Sequence, residues 1–238
     1  MLDIHSHLLP GVDDGAEDLE EACQMARQAV DTGTTGLVLT PHCNIPGGFQ
    51  NPWSEALSQK LADFRQALQR LGIPLTLMMG AEVFGADDVA QHLASGRALT
   101  LNASRYVLLE FWTNDHPGRV ARVLDSVSAL GLVPVIAHPE RYHFLEEDLS
   151  LARDWVGRGF LLQLNKGSVL GSFGRRVQGR ADALLRARLA QVVASDGHSP
   201  YQRTATLHEV YVHIAQRHSR AYADSLLRDT PLRIVNNA

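Results

Sequence analysis

Seven short apolar runs rich in β-branched residues, at residues 2–5, 36–40, 75–79, 106–110, 133–137, 160–164 and 191–195, alternate with longer stretches of helical periodicity. Helices are predicted over residues 17–32, 117–130, 149–158 and 181–188. Another opens at Asn51-Pro52, read as a cap followed by a first-turn proline, with Trp53, Leu57, Leu61, Phe64, Leu68 and Leu71 repeating before Gly72. From Tyr201 the chain reads as helix, with a short tail from Asp229. Strands separated by helical crossovers pair in parallel, because a parallel pair needs such a connection and the helix covers the sheet face. The expected architecture is α/β, one domain over residues 1–238, with the strands closed or nearly closed into a barrel.

That barrel is favoured over an open sheet by the residues at the downstream ends of the runs. His5 and His7 share a face of the first strand, since side chains alternate with a period of two. His42 follows the second run, Glu82 the third, and Glu110 and His138 end the fourth and fifth. Asp196 and His198 follow the seventh, and Asp13 or Asp14 lies within reach of the first. Each polar group comes directly off an apolar strand, where an uncompensated charge costs several kcal/mol unless it is paired, solvated or metal-bound. A lone carboxylate at such a turn is as readily a helix cap. Five strand ends doing it together point instead to divalent cations, and a ring of strand ends surrounds one point where a row would not.

Four carboxylates carry −4, whereas three divalent cations carry +6 and leave +2, a pocket suited to a phosphate dianion. Five histidines and four carboxylates cannot saturate three metals, so positions remain for water and substrate.

Other classes recede on composition. Lys plus Arg total 22 against 26 for Asp plus Glu, net −4, with no basic run to track a phosphate backbone, so nucleic acid is not an expected partner. No stretch approaches the ~20 apolar residues of a membrane span, and the opening Met-Leu-Asp-Ile-His has no leader character. With only Cys23 and Cys43 there is no disulfide framework, and a cytoplasmic location is expected. Ala29 and Phe49 stand six residues after the cysteines, where a cysteine-based phosphatase needs arginine.

The chain resembles the polymerase and histidinol phosphatase (PHP) superfamily, in particular its branch of manganese-dependent protein-tyrosine phosphatases from bacterial capsule and exopolysaccharide clusters. The likeness is carried by the opening through Gly15, with Thr40-Pro41-His42, Gly80-Ala81-Glu82, Ala137-His138-Pro139-Glu140-Arg141-Tyr142, Gln163-Leu164-Asn165 and Ala194-Ser195-Asp196-Gly197-His198. The resemblance implies a distorted seven-stranded (β/α)7 TIM-like barrel, the PHP fold, holding three divalent metal ions. Manganese is the metal implied, while the donor set also accepts iron or zinc.

By the same resemblance, His5, His7, Glu82 and Asp196 would take the first metal, Glu82, Glu110 and His138 the second, and Asp14, His42 and His198 the third. It also selects Asp14 over Asp13. Arg141 and Arg203 match the family's phosphate-binding positions, where a permanently charged fork suits phosphoryl oxygens. The implied reaction is one-step hydrolysis by a metal-bridging hydroxide. Its implied substrate is the phosphotyrosine tail of a bacterial tyrosine kinase of polysaccharide export. A small-molecule phosphatase of histidinol-phosphatase type would use the same metals, and an amidohydrolase would leave Asp14, His42 and His198 surplus. Phe111, Trp112 and Tyr142 flank the site and would pack either a substrate ring or the core. The other six histidines, His143 among them, read as surface or helix residues.

Overall fold

The computed structural model describes residues 1–145 and 148–237. Among the described residues nine strands run in chain order: β1 Leu2–Ser6, β2 Gly36–Leu39, β3 His42–Cys43, β4 Thr76–Met79, β5 Glu82–Phe84, β6 Tyr106–Glu110, β7 Val133–Ala137, β8 Leu161–Asn165 and β9 Val192–Ala194. Every pairing is parallel, as the alternation required.

The strands form two sheets, β1-β2-β4 and β3-β5-β6-β7-β8-β9, and among the described residues no ladder closes them into one barrel. This corrects the expected seven-stranded ring, and the cause is local. Two of the apolar runs break just before a site residue, at Thr40-Pro41 and at Gly80-Ala81, so β2 gives way to β3 and β4 to β5 in the other sheet. Pro41 has no N–H to contribute to a ladder. At Gly80 a Cβ would stand 3.1 Å from Leu101 and 3.2 Å from Val38, so the chain turns where only glycine packs easily. Beyond the breaks, His42 and Glu82 pair in register. The two sheets meet again where Ser6 bridges Gly197, with the His7 amide donating to the Gly197 carbonyl.

The helices cover the strands with shifted ends, and the stretch expected to be helical from Tyr201 is irregular until a helix begins at His208. Helix α1, Leu19–Asp31, is capped by the Asp18 side chain, which accepts from the Glu21 amide, and it buries Ala22, Met25, Ala26 and Ala29. Helix α2, Glu55–Arg70, starts later than Asn51-Pro52 suggested. Ser54 is its cap, and the predicted stripe is buried only from Leu57 to Leu68, leaving Trp53 and Leu71 exposed. Asn51 serves the loop instead, its amide donating to the Val12 and His42 carbonyls. The expected C-terminal tail is helical too: Thr230–Val235 forms a last helix whose Ile234 and Val235 join Leu2, Ile4, Val38, Leu108 and Val135 in one apolar cluster. That cluster sits beneath the polar residues at the downstream strand ends. The register of β1 against β2 shifts between Asp3 and Ser6, and this irregularity lets Ile4 enter the cluster while the next residue, His5, faces the site.

Candidate metal centre

All nine candidate donors converge. Three overlapping groups, His7/Asp14/His42/His198, His5/His7/Asp196 and His42/Glu82/Glu110, each bring their ligand atoms within 4.8 Å of one another. The remaining donor, His138, lies 2.8 Å from Glu82 through its Nε2. Glu82 is the hub: its Oε2 is 3.2 Å from both His5 Nε2 and His7 Nε2 and 3.1 Å from His42 Nδ1. Arg141 and Arg203 line the same cavity, of about 380 Å³, with Asp14, His42, Glu110 and His198. None of the other six histidines joins a ligand group among the described residues.

The ambiguity between the neighbouring aspartates resolves into two roles. Asp14 points into the cavity, 3.5 Å from both His42 Nε2 and His198 Nε2. Asp13 points away and accepts from His7 Nδ1 at 2.7 Å and from the His42 amide at 2.9 Å. Similar bracing recurs around the site. His5 Nδ1 lies 2.8 Å from Gln163 Oε1, Asn165 Nδ2 donates to Asp196 Oδ2 at 2.5 Å, and His198 Nδ1 donates to the Asp196 carbonyl at 2.9 Å. Each of these contacts fixes a ring or carboxylate from behind and leaves its other atom facing the cavity. Two candidate donors sit on strained backbone: His138 has φ +35° and Asp196 φ +50°, a left-handed turn that L-residues adopt at a cost.

The electrostatics favour cations. Burial opposes charge on the imidazoles, yet facing carboxylates outweigh it: Glu82 and Asp196 raise His5 to about 9, and Asp13 with Glu82 raises His7 to about 10. Glu82 and Glu110 likewise raise His42 to about 10. Burial acts against Glu82 and Asp196 in turn, but surrounding positive charge, that of His5 foremost, holds both well below the usual carboxylate range. His198 is pushed down by burial and by His7. Orphaned polar atoms fit a cation as well: His42 Nδ1 and Glu110 Oε1 are buried 2.9 Å apart, but neither has a hydrogen-bond partner in good alignment. Neutral imidazole and carboxylate oxygen together suit manganese, iron or zinc.

Arg203 donates to Asp196 Oδ2 at 2.5 Å, so it braces a candidate donor as well as facing the cavity. The Arg141 guanidinium lies over the Phe173 ring, 5.4 Å from its centroid. Of the three flanking aromatics, only Trp112 reaches the cavity. Phe111 and Tyr142 are buried, the Tyr142 hydroxyl accepting from the Phe111 amide and donating to the Ala137 carbonyl. The sequence reading missed Phe49, which lines the mouth, and the bracing roles of Asp13, Gln163 and Asn165. Gln163 and Asn165 did carry a signal, two polar residues two apart on a strand otherwise apolar. Cys43 is buried, and burial pushes its thiol up to about 11, a poor nucleophile.

Comparison with known proteins gives a consistent match. The family described as capsular polysaccharide synthesis, CpsB/CapC, matches residues 1–236. The tyrosine-protein phosphatase YwqE of Bacillus subtilis is 36% identical over 199 residues, covering 84% of this chain and 78% of its own. The tyrosine-protein phosphatase CpsB of Streptococcus pneumoniae is 31% identical over 240 residues, covering 99% and 98%. A chain from the crystal structures of YwqE and CpsB, described there as unique metal-dependent tyrosine phosphatases, superimposes with a TM-score of 0.92 at 31% identity, over 100% of this chain and 95% of its own.

Proposed function

The chain belongs to the CpsB/CapC family of capsular polysaccharide synthesis, the tyrosine-phosphatase branch of the PHP superfamily, and on that premise we propose that it is a metal-dependent protein-tyrosine phosphatase. The observation that carries the proposal is the convergence of nine donors and two arginines on one cavity.

We assign His5, His7, Glu82 and Asp196 to a first divalent ion, Glu82, Glu110 and His138 to a second, and Asp14, His42 and His198 to a third, with manganese as the metal. His42 stands 3.1 and 2.9 Å from Glu82 and Glu110 through Nδ1 and 3.5 Å from Asp14 through Nε2, which supports adjoining ions that share neighbours. When bound, these ions supply Lewis acidity, lowering the pKa of water and drawing charge from the phosphoryl oxygens.

The protein supplies the rest. Arg141 holds the phosphoryl group from the rim, its fork matched to two oxygens and stabilising charge that grows toward the transition state. Arg203 does the same with the donors not committed to Asp196. Asp13, Gln163 and Asn165 keep the ligand side chains in place so that little reorganisation accompanies reaction. A tyrosine phenolate, with a parent pKa near 10, leaves with less protonation help than a serine alkoxide. We propose a substrate of the capsule and exopolysaccharide setting, the phosphotyrosine tail of a bacterial autokinase, and one catalytic domain spanning the chain. No helix among the described residues is long and apolar enough to cross a membrane.

The test is phosphate release from a phosphotyrosine peptide by manganese-loaded protein, with and without chelator. Release that chelator abolishes supports the assignment. Release only from small alkyl phosphates, or release indifferent to chelator, contradicts it.

A further inference from the structure

Above the imidazole and carboxylate floor, the mouth of the cavity is walled by two aromatic side chains that solvent reaches. Phe49 is 39% exposed and lies parallel to the His42 ring, with an interplanar angle of 5° and centroids 6.1 Å apart. Trp112 is 48% exposed, its ring resting 4.6 Å from that of buried Phe84.

Neither ring hangs on a loose loop. The Phe49 carbonyl accepts from the Ile45 amide at 2.9 Å, the Asn44 amide donates to the Gln50 carbonyl at 3.1 Å, and Asn51 ties the same loop to the His42 carbonyl at 2.8 Å. The Trp112 amide donates to Asp115 Oδ2 at 3.1 Å. Two ordered rings left partly in water forgo the stabilisation that burial would give them, and a flat apolar ligand restores it. The floor offers such a ligand nothing, because Glu82, Glu110, Asp196 and the histidines are polar throughout.

We infer that Phe49 and Trp112 form a slot for the ring of an aryl phosphate and set this site's preference for aryl over alkyl esters. The inference rests on the phosphatase reading above, and it goes further by naming the residues that discriminate. With the phosphoryl group among the polar donors, the ring of an aryl ester has Phe49 and Trp112 in the same lining to stack against. An alkyl ester places a narrow chain there, which touches neither wall well. Offset stacking against both walls is worth about tenfold in affinity for each, or about 1.4 kcal/mol.

Phenylphosphonate and methylphosphonate, neither of which can be hydrolysed, separate the slot from turnover. Calorimetry on the manganese-loaded protein is expected to show phenylphosphonate binding about a hundredfold more tightly, about tenfold for each wall. Phe49→Ala and Trp112→Ala should each erase about tenfold of that preference while methylphosphonate affinity and metal content stay as in the parent. Phe49→Tyr should restore it. No preference in the parent, or an equal loss for both phosphonates, overturns the inference even if phosphotyrosine peptides are cleaved. A preserved preference without any peptide cleavage would instead sink the phosphatase reading and leave the slot standing.

Discussion

Asp13 Oδ2 receives His7 Nδ1 at 2.7 Å and the His42 amide at 2.9 Å, so one carboxylate outside the cavity sets the direction of one candidate donor and the position of another. Partners of this kind tune metal affinity without touching the metal. Asp13→Asn keeps the shape and removes the charge that favours donation from Nδ1. It should weaken manganese binding about 10- to 100-fold, read by titration against a competing chelator. Unchanged affinity would show that His7 is oriented by packing alone.

In the folded chain His5 is raised to about 9 and His7 and His42 to about 10, against about 6.5 for unfolded histidine. Their attraction to the carboxylates therefore stabilises the metal-free protein fully below about pH 6.5 and is lost as pH climbs through 9 to 10. Chelator-treated protein should melt at progressively lower temperature over that window. Metal binding must displace the same protons, so at pH 7 it should release protons and tighten as pH rises. Calorimetry in buffers of different ionisation enthalpy reads this, and metal uptake without proton release would contradict it.

A Cβ added at Gly15 would stand 1.9 Å from the His7 carbonyl oxygen and 2.5 Å from the His7 Cβ. The backbone must move, and His7 with it. Gly15→Ala should cost about 1–3 kcal/mol in denaturant unfolding and weaken metal binding together. A protein with parental stability and metal content would show that the loop relaxes freely.

Arg141 and Arg203 should separate by their contacts. Arg141→Ala is expected to lower kcat about 10²- to 10³-fold with metal content intact. Arg203→Ala also removes the bond to Asp196, so it should lower both turnover and metal affinity. Elemental analysis beside kinetics distinguishes them, and identical behaviour of the two variants would remove the distinction.

The convergence of the candidate donors was legible in the sequence because strand polarity puts every downstream end on one side, whatever the sheet does between. Closure was not legible. Nothing in the apolar runs before His42 and Glu82 marks the change of sheet except Pro41 and Gly80, residues equally at home in an ordinary turn. The roles of Asp13 and Asp14 depend on which of two adjacent side chains turns inward, and spacing is silent on that. Phe49 was missed because it lies in the loop after His42 and belongs to no periodic pattern, so only the folded loop sets it against the His42 ring. The helical tail was hidden by Asp229-Thr230-Pro231, which reads as a break, whereas the backbone stays helical through Asp229 and Thr230 and a π-helical turn over Ser225–Asp229 precedes the proline.

The most direct test of the metal-centre account is to strip the protein with chelator, restore manganese stepwise, and measure bound metal and phosphate release from a phosphotyrosine peptide in each sample. Activity should be absent without metal and rise to a plateau at three ions per chain, and Glu82→Gln should fail to hold two of them. Full turnover by metal-free protein, or full metal content in Glu82→Gln, would contradict it.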